Sequence, residues 1–319
     1  MIQVQNVQQQ PSQDVREQLY SQLEDYMGLS STKKKMDSSE KSGGTTLKRK
    51  SSEQSSSSSS SKALSKNTLA IKVNGKTIKG SAQNIVGRVV EAEMGASFRE
   101  EALKAQAVAA YTYIRYNNQK GTIPSLPAKS SVSAKVEDAV EQVIGEALYY
   151  QGEYINATYC ASNAGNSVDS ENVWGGYLPY LRSVESPGDT TLKAYGAVKR
   201  FSEEEIAQYI EDNLDVDPYD YSDPDEWFKD EEYINGRYVD SIRVCGRRLS
   251  GREVREELME FALPSVAFEV EYDDGEFIFT TYGYGHGVGM SQQGADYFAQ
   301  RGWDYEEILT HYYTGVTLK

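Results

Sequence analysis

The chain has 319 residues, of which 39% are hydrophobic, which is enough for one large globular domain or for a domain with tails. Its formal net charge of −15 argues against DNA, RNA or an anionic membrane as the main partner. No apolar run is long enough to span a bilayer, and the first residues lack the basic-then-apolar pattern of a signal peptide.

The N-terminal part of the chain is predicted to lie outside the main domain. Within residues 1–28, apolar side chains recur at helical spacing from Val15 to Tyr26, which predicts a short amphipathic helix. Residues 29–67 are rich in serine and lysine and cannot bury a core, so they are predicted to form a disordered linker. The folded domain is predicted to span residues 68–319.

The first half of this domain alternates hairpin and helix signals. Asn74-Gly75 predicts a hairpin turn, and Gln151-Gly152 predicts a second one. Ser97 and Glu100 have the spacing of a capping box, so a helix is predicted to begin near Ser97, with the preceding VVEAEMG as the turn that leads into it. A further helix is predicted over residues 134–144.

The second half contains the helical segments SEEEIAQYIEDNL and SGREVREELMEF, and a hairpin signal at Asp274-Gly275. A glycine-rich stretch, one more helix and the segment DYEEILTHYYTGVTL follow. Strands and helices are interspersed without regular βαβ alternation, so the predicted fold class is α+β.

The stretch GYGHGVGMSQQGA begins at Gly283 and places His286 among alternating glycines. It matches neither a phosphate-binding loop nor a dinucleotide fingerprint, because the required Lys-Ser/Thr and third glycine are missing. In an extended segment these glycines would leave one side as bare backbone that a ligand can approach. Two interpretations remain: a tight turn with a structural histidine, or the glycine-lined floor of a substrate cleft.

Glu93 is the candidate acid among the carboxylates. Val89, Val90 and Met94 surround it in sequence, and a carboxyl group in an apolar pocket tends to have a raised pKa and can donate a proton near neutrality. Glu91 would face the opposite side of an extended segment. A single glutamate taken alone is more often a surface residue than a catalyst.

Three segments together resemble the SpoIID/LytB family of stage II sporulation proteins. They are EMGASFREEALKAQAVAAYTY, SNAGNSVDSENVWGGYLPYLRSVESPGD and GYGHGVGMSQQGADYFAQRGWDYEEILTHYYTGV. The resemblance covers roughly residues 68–319 and implies a single SpoIID-like catalytic domain built around a glycan groove.

The resemblance implies a lytic transglycosylase that cleaves between N-acetylmuramic acid (MurNAc) and N-acetylglucosamine (GlcNAc) in peptide-stripped peptidoglycan. The family's catalytic acid falls on Glu93, and no cofactor or metal is expected. A single carboxyl group suffices, because the muramic C6 hydroxyl replaces water as nucleophile. The expected substrate-binding residues are His286, Gln292, Ser291, Gln106, Ser162, Asn163, Trp174 and Tyr177.

The chain departs from the family pattern at three positions. Gly95 replaces a proline after the EM pair, Tyr111 replaces an arginine after AVAA, and Cys160 replaces a histidine after Tyr159. Some family members bind zinc near the last position, but one cysteine without a nearby histidine predicts no zinc here. Cys160 and Cys245 are expected to be free, buried thiols.

The resemblance implies a location outside the cytoplasmic membrane, at the cell envelope or sporulation septum, although no export signal is visible. Expected partners are the glycan strands and other engulfment proteins, such as an amidase and a membrane anchor, with no nucleic acid. A protein that binds glycan or scaffolds partners without cleaving is the alternative. An amidase using Cys160 is a weaker alternative, because no histidine stands near it in sequence.

Overall fold

The computed structural model describes residues 67–319, so the helix predicted within residues 1–28 and all but the last residue of the linker predicted for residues 29–67 lie outside the described residues. The helices are α1 (Ala82–Glu93), α2 (Glu100–Gln119), α3 (Ala134–Val143), α4 (Ser170–Trp174), α5 (Glu203–Leu214), α6 (Pro218–Tyr221), α7 (Gly251–Glu253), α8 (Gln292–Gln300) and α9 (Tyr305–Tyr312). The strands are β1 (Thr68–Val73), β2 (Lys76–Ser81), β3 (Leu148–Tyr150), β4 (Glu153–Tyr154), β5 (Tyr159–Cys160), β6 (Ala197–Ser202), β7 (Phe228–Ile234), β8 (Tyr238–Val244), β9 (Arg247–Leu249), β10 (Phe268–Asp273), β11 (Glu276–Thr281), β12 (Met290–Ser291) and β13 (Thr317–Leu318).

The strands form several small sheets rather than one large one, with the orders β1-β2, β10-β11-β6, β12-β5, β13-β3-β4 and β7-β8-β9. Helices and antiparallel strands are interspersed, so the α+β prediction is confirmed. No helix within residues 67–319 is long and apolar enough to cross a membrane.

All three predicted hairpins are confirmed. Both central residues of each turn have positive φ: 49° and 72° at Asn74-Gly75, 52° and 88° at Gln151-Gly152, and 47° and 84° at Asp274-Gly275. Two positive φ values define the turn whose twist matches that of the flanking strands, and asparagine, aspartate and glycine tolerate it best.

Two hydrophobic clusters hold the domain together. The larger cluster surrounds α2, whose alanines are fully or almost fully buried and let α1, α3, α8 and α9 pack close to its backbone. The smaller cluster joins α5 to strands β6–β11 and contains the stacked pair Trp227 and Phe277, with ring centroids 5.4 Å apart. The region from β6 to β11 therefore has a core of its own.

The VVEAEMG segment is helix, which corrects the turn predicted there. Ser81 caps α1 by accepting a hydrogen bond from the Asn84 amide, and the helix continues through this segment to Glu93. The capping box predicted from Ser97 is also wrong, because Arg99 is the N-cap of α2 and provides no side-chain bond. The start of α1 was missed because its N-cap, Ser81, is also the last residue of β2.

The segment that follows Ser250 begins as predicted, with a capping box between Ser250 and Glu253. The helix does not continue regularly, because residues Val254–Leu258 form a π-helical turn. Glu260 and Phe261 then adopt positive φ values of 45° and 63°. Such π turns and left-handed non-glycine residues are frequent at functional sites.

Candidate active site

A cavity of about 280 Å³ lies beside the larger hydrophobic cluster, to which Tyr113 and Leu126 of its lining belong. This volume is close to the lower end of the range for small-molecule sites. Residues from distant parts of the chain line it: Glu93, Tyr113, Leu126, Thr158, Tyr159, Cys160, Ala161, Trp174, Arg255, Glu256, Phe261, Tyr284, Gly285, His286 and Gln292.

Glu93 is the last residue of α1 and presents its carboxyl group to this cavity. Burial raises its pKa from the ordinary value of 4.5 to about 7, whereas a hydrogen bond from Gln292 acts in the opposite direction. Placement at the C-terminal end of a helix also disfavours a negative charge. A carboxyl group with this pKa can both donate and accept a proton near neutrality.

Gln292 is positioned by the parallel pairing of β12 with β5. Its Nε2 atom donates to Glu93 Oε2 at 3.3 Å. Ser291 precedes it as the N-cap of α8, donating to Asp189 Oδ1 at 2.8 Å while accepting from the Gly294 amide. Ser291 is fully buried and does not line the cavity, so its contacts hold Gln292 in place.

Tyr159 stands next to Glu93 on the cavity wall. Burial raises the pKa of its hydroxyl well above the ordinary value, and the charge of Glu93 adds to this effect. Gln106, which is fully buried on α2, lies behind Tyr159 and acts to lower the same pKa. Gln106 therefore supports the wall from behind, without lining the cavity.

His286 lines the cavity with its ring against Trp174, at a centroid distance of 5.0 Å. Its Nδ1 accepts a hydrogen bond from the Val288 amide at 3.0 Å. Burial lowers the pKa of His286 to about 3, and the nearby charge of Arg255 contributes. The imidazole is therefore neutral at physiological pH and acts as a polar contact rather than a cation.

The glycines around His286 serve mainly to pack the protein against itself, which corrects the expectation of a bare glycan-facing floor. All four alternating glycines have positive φ, between 77° and 118°. A Cβ atom on Gly289 would lie 2.2 Å from the Thr158 carbonyl oxygen, and one on Gly285 would lie 2.7 Å from the Cys160 Cβ. Gly285 is the member of this set that lines the cavity.

The remaining predicted substrate contacts lie away from the cavity lining. Ser162 pairs with Tyr284 through two backbone hydrogen bonds, and Asn163 donates its amide to Asp189 and accepts from the Cys160 thiol. Tyr177 is 65% exposed, with the guanidinium of Arg182 4.4 Å from its ring. The structure thus brings together Glu93, Gln292, His286 and Trp174 from the predicted set.

The opposite wall contains charged residues that the sequence did not single out. Arg255 and Glu256, both in the π-helical turn, line the cavity together with Phe261. Arg252 Nε donates to Glu256 Oε2 at 2.8 Å, whereas Arg255 Nη1 lies 3.6 Å from Glu256 Oε1. Glu256 therefore stands between two guanidinium groups.

Comparison with known proteins agrees with this arrangement. Residues 77–152 match the family model for SpoIID, stage II sporulation protein. A stage II sporulation protein D from Bacillus amyloliquefaciens is 32% identical over 274 residues, which covers 76% of this chain and 77% of the relative. The chain belongs to the SpoIID family. The protein of the same name from Bacillus subtilis is 31% identical with the same coverage, and an amidase enhancer from Bacillus subtilis is 28% identical over 72% of this chain and 39% of its own length.

Two departures from the SpoIID pattern have structural explanations. Tyr111 is buried and accepts a hydrogen bond from Arg115 Nε at 3.0 Å, away from the cavity lining. Its substitution therefore changes the packing of α2 rather than the cavity wall. Gly95 has φ 73°, a value that proline cannot adopt, so the chain leaves α1 along a path that requires glycine.

The third departure concerns metal binding. The Cys160 thiol is buried and donates to Asn163 Oδ1 at 3.0 Å, and burial raises its pKa to about 12. Within residues 67–319, no three histidine, cysteine or acidic side chains cluster as metal ligands would. Cys160 and Cys245 are both free and buried, as expected. The high pKa also makes Cys160 a poor nucleophile.

Proposed function

We propose that this SpoIID-family protein is a lytic transglycosylase that cleaves the MurNAc–GlcNAc bond of peptide-stripped peptidoglycan strands and leaves 1,6-anhydro-MurNAc ends. The observation that carries the proposal is the Glu93 carboxyl, whose pKa burial raises to about 7 at the wall of this cavity. The relatives' name, stage II sporulation protein D, supports a role in sporulation.

One residue performs both proton transfers in this reaction. Protonated Glu93 gives its proton to the glycosidic oxygen as the C1–O bond of MurNAc breaks, and GlcNAc leaves with a hydroxyl group at C4. The C6 hydroxyl of the same MurNAc then attacks C1, and its proton returns to the Glu93 carboxylate. Gln292 holds the carboxyl group in one orientation during both steps.

The cavity has a second carboxylate, Glu256, which a hydrolase could use to activate water. Its position argues against that role. Arg252 Nε donates to Glu256 Oε2 at 2.8 Å, and Arg255 Nη1 stands 3.6 Å from Glu256 Oε1. The Oε2 atom is therefore already engaged by the protein rather than free to hold a water molecule, which favours the internal C6 hydroxyl as nucleophile.

Aromatic side chains suit the cavity to a sugar. Trp174 and Tyr113 line its interior, and Tyr284, which is 49% exposed, stands at its opening. Aromatic rings give sugars an apolar contact face, and the tyrosine hydroxyl adds a polar end. Neutral His286 offers a further hydrogen-bonding group beside Trp174.

The substrate places the proposed reaction in the cell envelope, at the sporulation septum. There an amidase would supply peptide-stripped strands, and a membrane anchor and other engulfment proteins would be partners. The name of one relative, amidase enhancer, fits a family that acts together with amidases.

The test uses the full chain and purified peptide-stripped glycan strands. Wild-type protein is expected to shorten the strands, whereas Glu93→Gln is expected to bind them without cleaving. Glu91→Gln is the matched control. Glu91 accepts two hydrogen bonds from Ser133 and its pKa is lowered by them, so it holds α1 against the start of α3. This control should retain cleavage.

Three outcomes separate the candidate functions. Cleavage by wild type and Glu91→Gln but not by Glu93→Gln supports the transglycosylase. Binding by all three proteins with no cleavage by any would instead support a glycan-binding or scaffold protein. Equal cleavage by wild type and Glu93→Gln would remove Glu93 from the reaction.

A further inference from the structure

Arg255 is a buried cation at the wall of the cavity that contains Glu93. Its side chain is 6% exposed, and burial lowers its pKa, although a guanidinium remains protonated under physiological conditions. A buried charge is costly unless hydrogen bonds and an opposite charge compensate it. The contacts of this side chain therefore indicate what it is for.

The protein itself satisfies only part of this guanidinium. Arg255 Nε donates to the Leu263 carbonyl at 3.2 Å. The Nη1 atom lies 3.6 Å from Glu256 Oε1, which is too long for a hydrogen bond. Across residues 67–319, the Leu263 carbonyl is thus the acceptor within hydrogen-bond distance, whereas the group has five N–H donors.

Glu256 contacts two guanidinium groups, so its carboxylate is not reserved for Arg255. Arg252 donates to Glu256 from outside the cavity lining, with the shorter contact of 2.8 Å. Arg252 engages the Glu256 Oε2 atom, and the contact of Glu256 with Arg255 is the longer of the two. A ligand carboxylate in the cavity would give the Arg255 N–H groups the close acceptor that this 3.6 Å contact does not provide.

Phe261 contacts both the backbone and the guanidinium of Arg255. The Phe261 amide donates to the Arg255 carbonyl at 2.8 Å, and the Phe261 ring lies 5.0 Å from the guanidinium carbon. Phe261 adopts this position at a positive φ of 63°, which is unfavourable for a bulky residue. The Phe261 ring therefore packs against the guanidinium at the cavity wall from a constrained backbone position.

We propose that Arg255 binds the lactyl carboxylate of the MurNAc residue whose glycosidic bond Glu93 protonates. This inference rests on the proposed function. In intact peptidoglycan that carboxyl group is tied up as the amide that carries the stem peptide, so it is anionic only after the peptide has been removed. The lactyl group is attached to C3 of the ring whose C1 reacts, so the sugar that presents its glycosidic bond to Glu93 also carries this carboxylate into the cavity that Arg255 lines.

The consequence is a charge-based selection for stripped strands. A planar guanidinium binds a carboxylate through two parallel hydrogen bonds, whereas an amide at the same position offers one acceptor and no charge. Arg255 thus acts as a specificity-determining residue, and Glu93 performs the chemistry.

The experiment measures binding in the full chain carrying Glu93→Gln, so that no turnover intervenes. Three oligosaccharides of equal length are compared: GlcNAc–MurNAc with free lactyl carboxylates, the same sugar with those carboxylates amidated, and a chitin oligosaccharide without lactyl groups. The free carboxylate form should bind about tenfold to a hundredfold more tightly than the other two, as a charge-assisted contact provides.

Adding Arg255→Met together with Glu256→Gln, which removes the charge pair as a unit, should abolish that preference and leave binding of the other two sugars unchanged. Arg252→Met is the control that alters the same cluster outside the cavity lining, and it should retain the preference. If the double change fails to fold, Arg255→Lys keeps the charge and removes the planar fork, and it should reduce the preference.

The outcomes distinguish this inference from the function on which it rests. Equal binding of all three sugars by the parent protein, or equal weakening of all three by the Arg255 variants, would overturn the role of Arg255 and leave the glycan site standing. Binding of none of the sugars by the parent protein would overturn the glycan substrate and this inference with it.

Discussion

Gln292 Nε2 donates a hydrogen bond to Glu93 Oε2 at 3.3 Å, and this contact joins the end of α1 to the start of α8. The two residues are 199 positions apart in the sequence. Burial raises the pKa of the Glu93 carboxyl to about 7, and the Gln292 amide restrains that rise because it stabilises the carboxylate. The pair therefore sets the pH range in which Glu93 is protonated.

Replacing Gln292 should change the pH dependence of cleavage. A proton donor works only while protonated, so activity should fall as pH rises through the pKa of Glu93. Gln292→Met removes the hydrogen bond that lowers this pKa, so the alkaline limb of the pH–rate profile should move to higher pH, with lower maximal activity. Gln293→Met, on the adjacent residue, should leave the limb in place. An alkaline limb that does not move in Gln292→Met would contradict the pairing.

Replacing Glu93 should stabilise the protein at high pH. The folded protein keeps Glu93 protonated up to about pH 7, whereas the unfolded chain loses that proton near 4.5. Stability from this group is therefore full below about pH 4.5 and is lost as pH rises to 7. Since Glu93 is partly exposed to the cavity, the loss should amount to about 1–3 kcal/mol.

Chemical denaturation at pH 5 and pH 8 measures this effect. Glu93→Gln does not ionise at this position, so its free energy of unfolding minus that of wild type should be about 1–3 kcal/mol larger at pH 8 than at pH 5. Burial also raises the pKa of Asp189, to about 6, but that residue is present in both proteins and cancels in the difference. A difference that is the same at both pH values would mean that Glu93 ionises normally.

His286 should contribute to glycan binding without adding a limb to the pH–rate profile of cleavage. Burial lowers its pKa to about 3, so it is neutral throughout the working range. His286→Ala should reduce glycan binding by about tenfold, since it removes a polar contact beside Trp174, and should keep the shape of the pH–rate profile. His311→Ala, on the other histidine, should leave binding unchanged, because His311 contacts the Glu185 carbonyl outside the cavity lining. Unchanged binding in His286→Ala would remove this residue from the site.

Alanine substitutions at two glycines should distinguish the cost of backbone strain from the cost of close packing. Gly289 and Gly302 have φ of 80° and 89°, but only at Gly289 would a Cβ atom meet another atom, the Thr158 carbonyl oxygen at 2.2 Å. Gly302→Ala should cost about 1–2 kcal/mol of unfolding free energy from the left-handed backbone alone. Gly289→Ala should cost about 3 kcal/mol or more because overpacking is added. Similar losses in thermal or chemical unfolding would mean that the backbone relaxes around the methyl group.

The sequence predicted those elements whose signals are local. The hairpin at Asn74-Gly75 and the capped helix α5 follow from turn and capping chemistry within a few residues. Glu93 was singled out from its apolar neighbours and from the family motif, and the structure places it in the cavity.

The wall that contains Arg255 could not be predicted in the same way. Its segment has the pattern of an ordinary amphipathic helix, and nothing local indicates a π turn or a left-handed Phe261. Its contact with the cavity depends on tertiary packing that brings residues 255–261 next to segments far away in the sequence. The extended conformation considered for the glycine stretch was wrong for a related reason. Positive φ values and contacts with residues 158–163 determine the path of this stretch.

The most direct test of the central claim is mass spectrometry of the products formed from peptide-stripped strands in water labelled with heavy oxygen. A transglycosylase should give 1,6-anhydro-MurNAc ends that carry no heavy oxygen, because the C6 hydroxyl of the sugar and not water attacks C1. Reducing ends that contain heavy oxygen would show a hydrolase, and would contradict the assignment of Glu93 as the single acid and base of a transglycosylase.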